Sequence, residues 1–506
     1  VLPHGVLFRG GEEGEIRKNL IENNHIDAII GLPANIFFGT GIPTIIMVLR
    51  QKRENTDVLI IDASKGFIKE GKNNKLRASD IKRIADTFIK RESVTKFSRV
   101  VSREEIRSND YNLNIPRYVD SSEAAEHWDV YASMFGGIPT AEIDEMSEFW
   151  TAFPALKKAL FTESGIPYVN VSTPDIKSAI KSHPDVVGFE NAFNAAFSTF
   201  PAFLKEELID RMGSIEISKA ETVLSADIFE RLKEIPLIDK YAAFQLLDDD
   251  WTGISIDLEM LQTEGFAATK KVDPNLVIKK KDGKDQEVQE GWVGHIIPFD
   301  LVQATLLSAE TDELHGLESR LAEIPSEYES ILDEMTEEDK ESCNDVLTEE
   351  GDAFVPKEVS KKIKELKKDR SPESVALRTL LEKVESLVKS EKEIKAEIKA
   401  KSAALQAKTK DTIESLSDEQ ALDLLEKKWI APLIESIHKL PDTVIDSLVS
   451  KIQALQNKYA TTFFEVEQQI SETEATLSGM IDDLEGNEYD MLGLNELKKL
   501  LGGSAE

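Results

Sequence analysis

The chain has 506 residues, and its 61 Lys and Arg against 94 Asp and Glu give a formal net charge of −33. Such acidity disfavours a chain that contacts nucleic acid along its whole length, because phosphate groups repel it. The single cysteine, Cys343, excludes an internal disulfide and a cysteine-based zinc site, and it indicates a reducing, cytoplasmic compartment.

The charge is unevenly divided along the chain. Residues 1–120 carry 20 Lys and Arg against 16 Asp and Glu, so the excess of acidic residues lies in the remainder. Between residues 72 and 99, nine basic residues accompany three acidic ones. A DNA contact and an ordinary solvated helix surface both fit this pattern.

The first 118 residues alternate short apolar runs with amphipathic ones. The pattern predicts strands near 1–8, 26–31, 44–50 and 57–62, and helices near 12–23 and 79–90. This alternation is typical of an α/β sheet that is covered on both faces. Val1 is not an initiator methionine and already lies in a strand-like run, which predicts that the chain starts inside a domain.

Residues 28–49 contain no charged side chain and are long enough to suggest a membrane span. Glycines and prolines recur throughout this segment, and they would break a continuous helix at nearly every turn. We therefore expect a strand, a loop and a second strand here, and no transmembrane segment.

Residues 119–345 are predicted to form a mainly helical domain, in which prolines separate short helices. A β-hairpin is expected near 276–298, with Asp282-Gly283 as its turn. Asp248-Asp-Asp-Trp251 could suggest a metal site, but adjacent carboxylates point in different directions, so a solvated cap or turn is favoured.

Residues 346–506 are predicted to form long helices that pack as a coiled coil. Apolar residues recur every three or four positions over 380–405 and again over 445–484. Pro441 lies between the two stripes and permits an antiparallel return. The end of the second stripe would then remain for a partner helix, and removal of residues 440–506 should leave residues 1–345 folded.

Phe37 and Phe38 are the best candidates for function. They lie next to Gly39-Thr40-Gly41 in the loop between two predicted strands. Two adjacent phenylalanines are either core residues or a wall on which a planar base can stack. The sequence holds no Walker loop, no Gly-x-Gly-x-x-Gly after a strand and no His-Glu-x-x-His, so nucleotide hydrolysis and zinc proteolysis have no support.

Three segments resemble a known family: Val1–Phe8, Ile26–Leu49 and Tyr111–Tyr118. They are similar to the second half of the catalytic domain in the modification subunits of type I restriction-modification systems, which are adenine-specific DNA methyltransferases. A weaker similarity to the long-tailed modification subunits continues through later segments. The resemblance implies that residues 1–118 are the remnant of a Rossmann-like methyltransferase sheet.

For the whole subunit, the resemblance implies transfer of a methyl group from S-adenosylmethionine to the exocyclic amine of adenine that has been rotated out of the duplex. It assigns the target base and DNA to Pro3, Phe37, Phe38 and the Gly39-Thr40-Gly41 bend. It also implies three partners: double-stranded DNA, the DNA specificity subunit through the C-terminal helices, and the restriction subunit.

The family's glycine-bearing cofactor loop and its Asn-Pro-Pro-Phe motif are not in these 506 residues. No catalytic, cofactor-binding or metal-binding residue is therefore assigned, and the chain is expected to be inactive by itself. Two other interpretations stay open at this point. One is a non-enzymatic assembly protein in which the coiled coil carries the function and the α/β part only supports it. The other is an α/β enzyme that acts on a small molecule.

Overall fold

The computed structural model describes residues 1–122, 126–165, 167–281, 284–348, 351–369 and 371–501. Contacts divide the chain into two compact units. Unit 1 contains residues 1–202, 218–252 and 433–506, and unit 2 contains residues 203–217 and 253–432. The three consecutive domains of the sequence analysis remain a prediction.

The first 120 residues alternate strands and helices. In chain order these are β1 (Leu2–Pro3), α1 (Glu12–Glu22), β2 (Ile26–Gly31), β3 (Thr44–Leu49), β4 (Val58–Asp62), β5 (Ile68–Glu70), β6 (Asn73–Lys75), α2 (Ala78–Lys90), β7 (Ser98–Val101) and α3 (Arg103–Ser108). The predicted strands and helices are confirmed, except that the first strand is short. It ends at Pro3, and a 3-10 turn, His4–Leu7, follows it.

Five of these strands form one mixed sheet in the order β1-β3-β2-β4-β7. β2 and β4 are parallel, whereas β3 is antiparallel to both of its neighbours and β7 is antiparallel to β4. The register places Ile29 opposite Met47 on one side and opposite Ile60 on the other. The carboxyl ends of β2 and β4 therefore lie at the same edge of the sheet.

The sheet is covered on both faces, as the sequence predicts. Successive side chains of a strand point to opposite faces, and every residue of β2 is buried. Ile29 and Ile60 pack on one face together with residues of α1 and α3. Ile30 and Ile61 pack on the other face together with residues of α2.

The segment 28–49 forms β2, a loop and β3, so the prediction of two strands in place of a membrane helix is confirmed. None of the helices in the described ranges combines the length and the apolar character that a bilayer crossing requires.

The next part of the chain is mainly helical, as predicted. Its elements are α4 (Val130–Phe135), β8 (Ile138–Pro139), α5 (Thr140–Asp144), α6 (Ser147–Ala152), α7 (Leu156–Leu160), β9 (Phe161–Gly165), β10 (Tyr168–Val171), α8 (Ile176–Lys181), α9 (Pro184–Phe197), α10 (Phe200–Leu204), α11 (Ile217–Arg231) and α12 (Lys240–Glu264). A π-helix, Lys205–Asp210, follows α10. Asp248, Asp249 and Asp250 lie inside α12 and not in a turn or cap.

A two-stranded hairpin then precedes a second set of helices. The elements are β11 (Val272–Lys281), β12 (Lys284–Gly294), α13 (Phe299–Leu306), α14 (Ser308–Glu334), α15 (Glu337–Ser342), α16 (Pro356–Leu366), α17 (Pro372–Glu414), α18 (Asp418–Trp429) and α19 (Ala431–His438). The predicted hairpin is confirmed, although its predicted turn, Asp282-Gly283, lies outside the described residues.

Within unit 2, α14 and α17 lie side by side and run in opposite directions. Lys408 pairs with Glu310 near one end, and Lys383 pairs with Glu334 near the other. The apolar stripe over 380–405 lies on α17, and its first part packs against residues of α14 and α16. Cys343 is buried in the same cluster and forms no disulfide.

The C-terminal part forms three helices: α20 (Leu440–Lys458), α21 (Phe463–Asp482) and α22 (Glu488–Leu500). The apolar stripe over 445–484 is divided between two helices, because α20 ends at Lys458 and α21 begins only at Phe463. The Thr462 hydroxyl accepts a hydrogen bond from the Glu465 N–H, and the Glu465 carboxylate accepts one from the Thr462 N–H. This reciprocal cap begins a new helix at Phe463, although the apolar spacing of three and four residues continues through the break.

Helix α20 belongs to the core of unit 1. Val444, Ile445 and Leu448 are buried against residues of α6, α7, α8 and α9, such as Phe149 and Ile180. The expectation that residues 440–506 can be removed without unfolding the rest is therefore wrong. Such a deletion would strip large apolar side chains from this core, at a cost of about 2 to 5 kcal/mol for each one.

Candidate functional site

The loop at residues 32–43 joins β2 to β3 and carries the predicted site residues. The backbone N–H of Leu32 donates to the carbonyl of Thr44 at 2.9 Å, which closes the base of the loop. Inside it, Asn35 has a φ of 55° and Gly39 a φ of 82°. These are left-handed conformations that asparagine tolerates and glycine adopts freely. The chain reverses at Gly39, directly after the two phenylalanines.

Both phenylalanines point away from the core. The Phe37 side chain is 41% exposed and that of Phe38 is 96% exposed. The interpretation of Phe38 as a core residue is therefore wrong, and Phe37 is also exposed, although less so. Nothing lies within 4 Å of the position that a Cβ would occupy at Gly39, so the tip of the loop is open on that side.

The beginning of β1 lies beside the end of this loop. Pro3 is opposite Thr44 in the pairing of β1 with β3, and the backbone N–H of His4 donates to the carbonyl of Pro43 at 3.2 Å. The structure therefore brings Pro3 to the same end of the sheet as the Gly39-Thr40-Gly41 bend. Burial lowers the pKa of the His4 imidazole, and the negative charge of Asp62 opposes this shift.

A second hairpin, formed by β5 and β6, holds the base of the loop. The backbone N–H of Asn74 donates to the carbonyl of Asn35 at 2.9 Å, and its side-chain amide donates to the carbonyl of Ala34 at 2.7 Å. These two bonds satisfy loop carbonyls that would otherwise need water. The loop is therefore fixed at its base, while Phe38 at its tip is free. The residues around Asn74 carry no sequence pattern that indicates this role.

Asp62 lies at the same edge of the sheet, at the carboxyl end of β4. Its carboxylate accepts hydrogen bonds from the Ser121 hydroxyl at 2.5 Å and from the Ser64 backbone N–H at 3.0 Å. The neighbouring strand ends at Gly31, where a Cβ would lie 2.6 Å from the Cδ1 of Ile115. A larger residue at this position would require the Ile115 side chain to move.

Five of the nine basic residues between 72 and 99 are neutralised by neighbouring carboxylates: Lys75 by Glu70, Arg77 by Asp80, Lys82 by Asp86, Arg91 by Asp27 and Asp57, and Arg99 by Glu105. For those five, a structural or solvated role fits better than a phosphate contact.

The carboxylates of α12 do not form a metal site. In the described ranges no group of three or more His, Cys, Asp or Glu is arranged to hold a metal ion. Burial raises the pKa of the Asp248 and Asp250 carboxyls, and the charge of Asp249 adds to both shifts. The favoured interpretation of this acidic run as a cap or turn is wrong, because all three aspartates lie in the interior of α12.

The loop chemistry permits binding but not group transfer. Phenyl rings carry neither a transferable proton nor a nucleophile, so Phe37 and Phe38 can only contact and orient a planar group. The glycines beside them allow a ligand to approach the backbone closely. Any methyl transfer would need groups that these residues do not supply.

Comparisons with known proteins agree with the predicted resemblance over the first quarter of the chain. The model of the N-6 DNA Methylase family matches residues 1–127. The type I restriction enzyme MpnII methylase subunit of Mycoplasma pneumoniae is 39% identical over 127 residues, which are 25% of this chain and 23% of that protein. The MjaVII methylase subunit of Methanocaldococcus jannaschii is 41% identical over 136 residues, or 26% of this chain and 24% of that protein.

A solved structure, the type I restriction-modification methyltransferase subunit from Streptococcus thermophilus, is 55% identical over 24% of this chain and 26% of that chain, with a TM-score of 0.24. The present chain thus spans about a quarter of the length of the curated relatives that it matches. Within residues 1–127, the predicted resemblance to the modification subunits is confirmed.

Proposed function

We propose that this chain is part of the modification subunit of a type I restriction-modification complex. The complete subunit would transfer a methyl group from S-adenosylmethionine to the exocyclic amine of adenine in double-stranded DNA. The match of residues 1–127 to the N-6 DNA Methylase family carries this proposal. The single buried cysteine and the described helices are compatible with a cytoplasmic enzyme.

The loop at residues 32–43 is proposed to contact the target base. An adenine that leaves the duplex loses its stacking partners, and an aromatic side chain can replace them. Phe38 presents almost its whole ring to solvent, and Phe37 presents part of its ring, from a loop whose base is fixed by Asn74. Pro3 and the Gly39-Thr40-Gly41 bend would form the adjoining wall of the base pocket.

The residues of this chain do not fit the cofactor. S-adenosylmethionine would supply the methyl group, but the glycine-bearing loop and the Asn-Pro-Pro-Phe motif through which the resembled family acts are not in the sequence. The roles assigned to this chain are therefore contact with the target base and assembly with the other subunits.

Purified residues 1–506 should neither bind S-adenosylmethionine nor methylate DNA. Isothermal titration calorimetry of the cofactor into the chain should show no heat above dilution, while the complete subunit prepared in parallel should bind. Micromolar or tighter binding by residues 1–506 would show that the cofactor site is built from other residues, and the division of roles proposed here would fail.

Phe37→Ala and Phe38→Ala in the complete subunit should each weaken stabilisation of the flipped base by about 1 to 3 kcal/mol, because a stacking surface is lost. Methylation of cognate DNA should fall accordingly, and 2-aminopurine at the target position should fluoresce less. The melting temperature of the Phe38 variant should not change, since that ring touches little of the protein.

Ile89→Ala is the matched control, because it shortens an exposed apolar side chain that lies outside this loop, on α2. It should leave methylation intact. If the Phe37 and Phe38 variants methylate DNA normally, the loop does not contact the base. A lower melting temperature for Phe37→Ala with normal methylation would identify Phe37 as a core residue.

We also propose that α21 and α22 bind the helices of the DNA specificity subunit. The exposed apolar side chains of the two helices are Phe463, Phe464, Val466, Ile470, Leu477, Met480, Tyr489, Met491, Leu492, Leu497 and Leu500. Residues 463–500 carry ten Asp and Glu against two Lys. An apolar face with acidic flanks suits an amphipathic helix with basic flanks and disfavours DNA itself.

The paired helices α14 and α17 are proposed to form a short antiparallel coiled coil that braces unit 2. Their apolar cluster and the ion pairs at both ends support this arrangement. An assembly protein without enzymatic activity would share these helices. Such a protein would not need the exposed Phe38, so the loop variants distinguish the two functions.

A further inference from the structure

A polar cavity of about 400 Å³ lies beside the carboxyl end of β4. Four separate segments of unit 1 line it: the end of β4, the beginning of α2, the turn before β7 and the segment at Ser121. Its basic lining residues are Lys65, Arg77, Arg83 and Lys96, and its hydroxyl groups come from Thr95, Ser121 and Ser122.

The two carboxylates in the lining already have partners. Asp80 accepts hydrogen bonds from the backbone N–H and the guanidinium of Arg77, at 2.9 to 3.0 Å. Asp62 accepts hydrogen bonds from the hydroxyl of Ser121 and the backbone N–H of Ser64. Arg77 and Asp80 neutralise each other, whereas Asp62 bonds only to neutral donors and keeps its charge. Lys65, Arg83 and Lys96 outnumber this one carboxylate, so the lining is positively charged.

Lys65, Arg83 and Lys96 are not neutralised in this way. Among the described residues, no carboxylate lies within 4.0 Å of the charged nitrogens of any of the three. The Arg83 guanidinium lies 4.3 Å from the centre of the Phe97 ring, which holds it over an apolar face without removing its charge. Hydrogen bonds from Ser122 lower the pKa of the Asp120 carboxyl, and the charges of Lys96 and Lys65 lower it further.

The cavity shares an edge of the sheet with the loop that carries Phe37 and Phe38. β2 and β4 are parallel, so the loop after β2 and the cavity after β4 leave the sheet on the same side. The backbone N–H of Ala63, which lines the cavity, donates to the carbonyl of Gly31, directly before the loop, at 2.9 Å. A duplex that presents a base to the loop would bring its backbone to this edge.

We propose that Lys65, Arg83 and Lys96 bind a phosphate group of the DNA backbone near the flipped base. This proposal rests on the proposed function, and it assigns the three residues a positioning role. Lysine and arginine side chains together with hydroxyl groups are the usual partners of backbone phosphates. Such contacts fix the register of a duplex without reading its sequence.

The test is the salt dependence of DNA binding by the assembled complex that contains the complete subunit. Fluorescence anisotropy would measure affinity for a cognate and an unrelated duplex over a series of salt concentrations. Each phosphate contact on B-DNA contributes about 0.9 to the slope of log K against log salt. Lys65→Ala with Lys96→Ala should reduce the slope by about 1 and weaken binding to both duplexes equally.

Lys52→Ala with Lys90→Ala is the matched control, because it removes two exposed lysines at the opposite edge of the sheet. The control should leave the slope unchanged. Lys65→Arg with Lys96→Arg should restore it, since the charges return. In methylation assays, the alanine pair should raise KM for DNA and leave kcat unchanged, which a folding defect would not do.

An unchanged slope for the alanine pair would overturn the phosphate contact while the proposed function stands. If the unsubstituted complex does not bind DNA, the proposed function fails, and the phosphate contact fails with it. Calorimetry with inorganic phosphate tests whether the three residues bind free phosphate and not the DNA backbone. Phosphate binding that the alanine pair abolishes, together with an unchanged DNA slope, would identify a site for free phosphate and overturn the assignment to DNA.

Discussion

Glutamate in place of Ile470 and Leu477 should abolish co-purification of the complete subunit with its specificity subunit. Both side chains are exposed on the apolar face of α21. Burial of each side chain in an interface would contribute about 1.5 to 3 kcal/mol to the binding free energy. Burial of an unpaired carboxylate in its place would cost additional free energy. We expect the affinity to fall by at least about 100-fold, as measured by size-exclusion chromatography with light scattering.

Gln468→Glu with Ala475→Glu adds the same charge to the opposite face of α21 and is the matched control. It should leave assembly intact. Point variants are preferred to deletion because α20, in the same C-terminal segment, supplies buried side chains to unit 1. Normal assembly of the Ile470 and Leu477 variant would show that the specificity subunit binds elsewhere.

Asp27→Ala should destabilise the sheet of unit 1 by about 3 to 5 kcal/mol, because it removes the closer of the two carboxylates that pair with the buried Arg53 guanidinium. Asp27 is 2% exposed, and its carboxylate contacts the Arg53 guanidinium at 3.1 Å and the Arg91 guanidinium at 2.7 Å. The Arg53 side chain is itself only 2% exposed. Burial lowers the pKa of its guanidinium, and the charge of Asp27 opposes that shift.

Hydrogen exchange of peptides from β2 and β4 measures this change within the sheet, without requiring two-state unfolding of the whole chain. Asp57→Ala is the control, because Asp57 is one-third exposed, although it pairs with Arg91 at 2.7 Å and lies 3.7 Å from the Arg53 guanidinium. Its loss should cost only about 0.2 to 1 kcal/mol. Equal exchange in the two variants would show that the buried network contributes no more than a surface ion pair.

The sheet was predictable because its signals are local. An apolar run such as Ile26–Gly31 can be buried on both faces only as a strand in a covered sheet, and it is so placed. The position of Phe37 and Phe38 in a glycine-bearing loop likewise marks them as candidates for function. Their exposure could not be read from the sequence, because the same residues would suit a core.

One feature that the local sequence does not predict depends on a contact between distant residues. Asn74 bonds to Asn35 only because the β5–β6 hairpin packs against the loop at residues 32–43. The local sequence does not indicate this contact. The break between α20 and α21 was hidden because the apolar spacing continues through it. The signal was present in Thr462 and Glu465, whose spacing is that of a reciprocal helix cap.

The return of the chain to unit 1 has a consequence for synthesis on the ribosome. Helices between residues 138 and 189 share their core with α20, so that core cannot close until residue 452 has emerged. At about 5 to 20 residues per second, the wait is on the order of tens of seconds. During that time the nascent helices expose the apolar surface that α20 will cover. Chaperones that bind apolar surface would cover it until α20 has been synthesised.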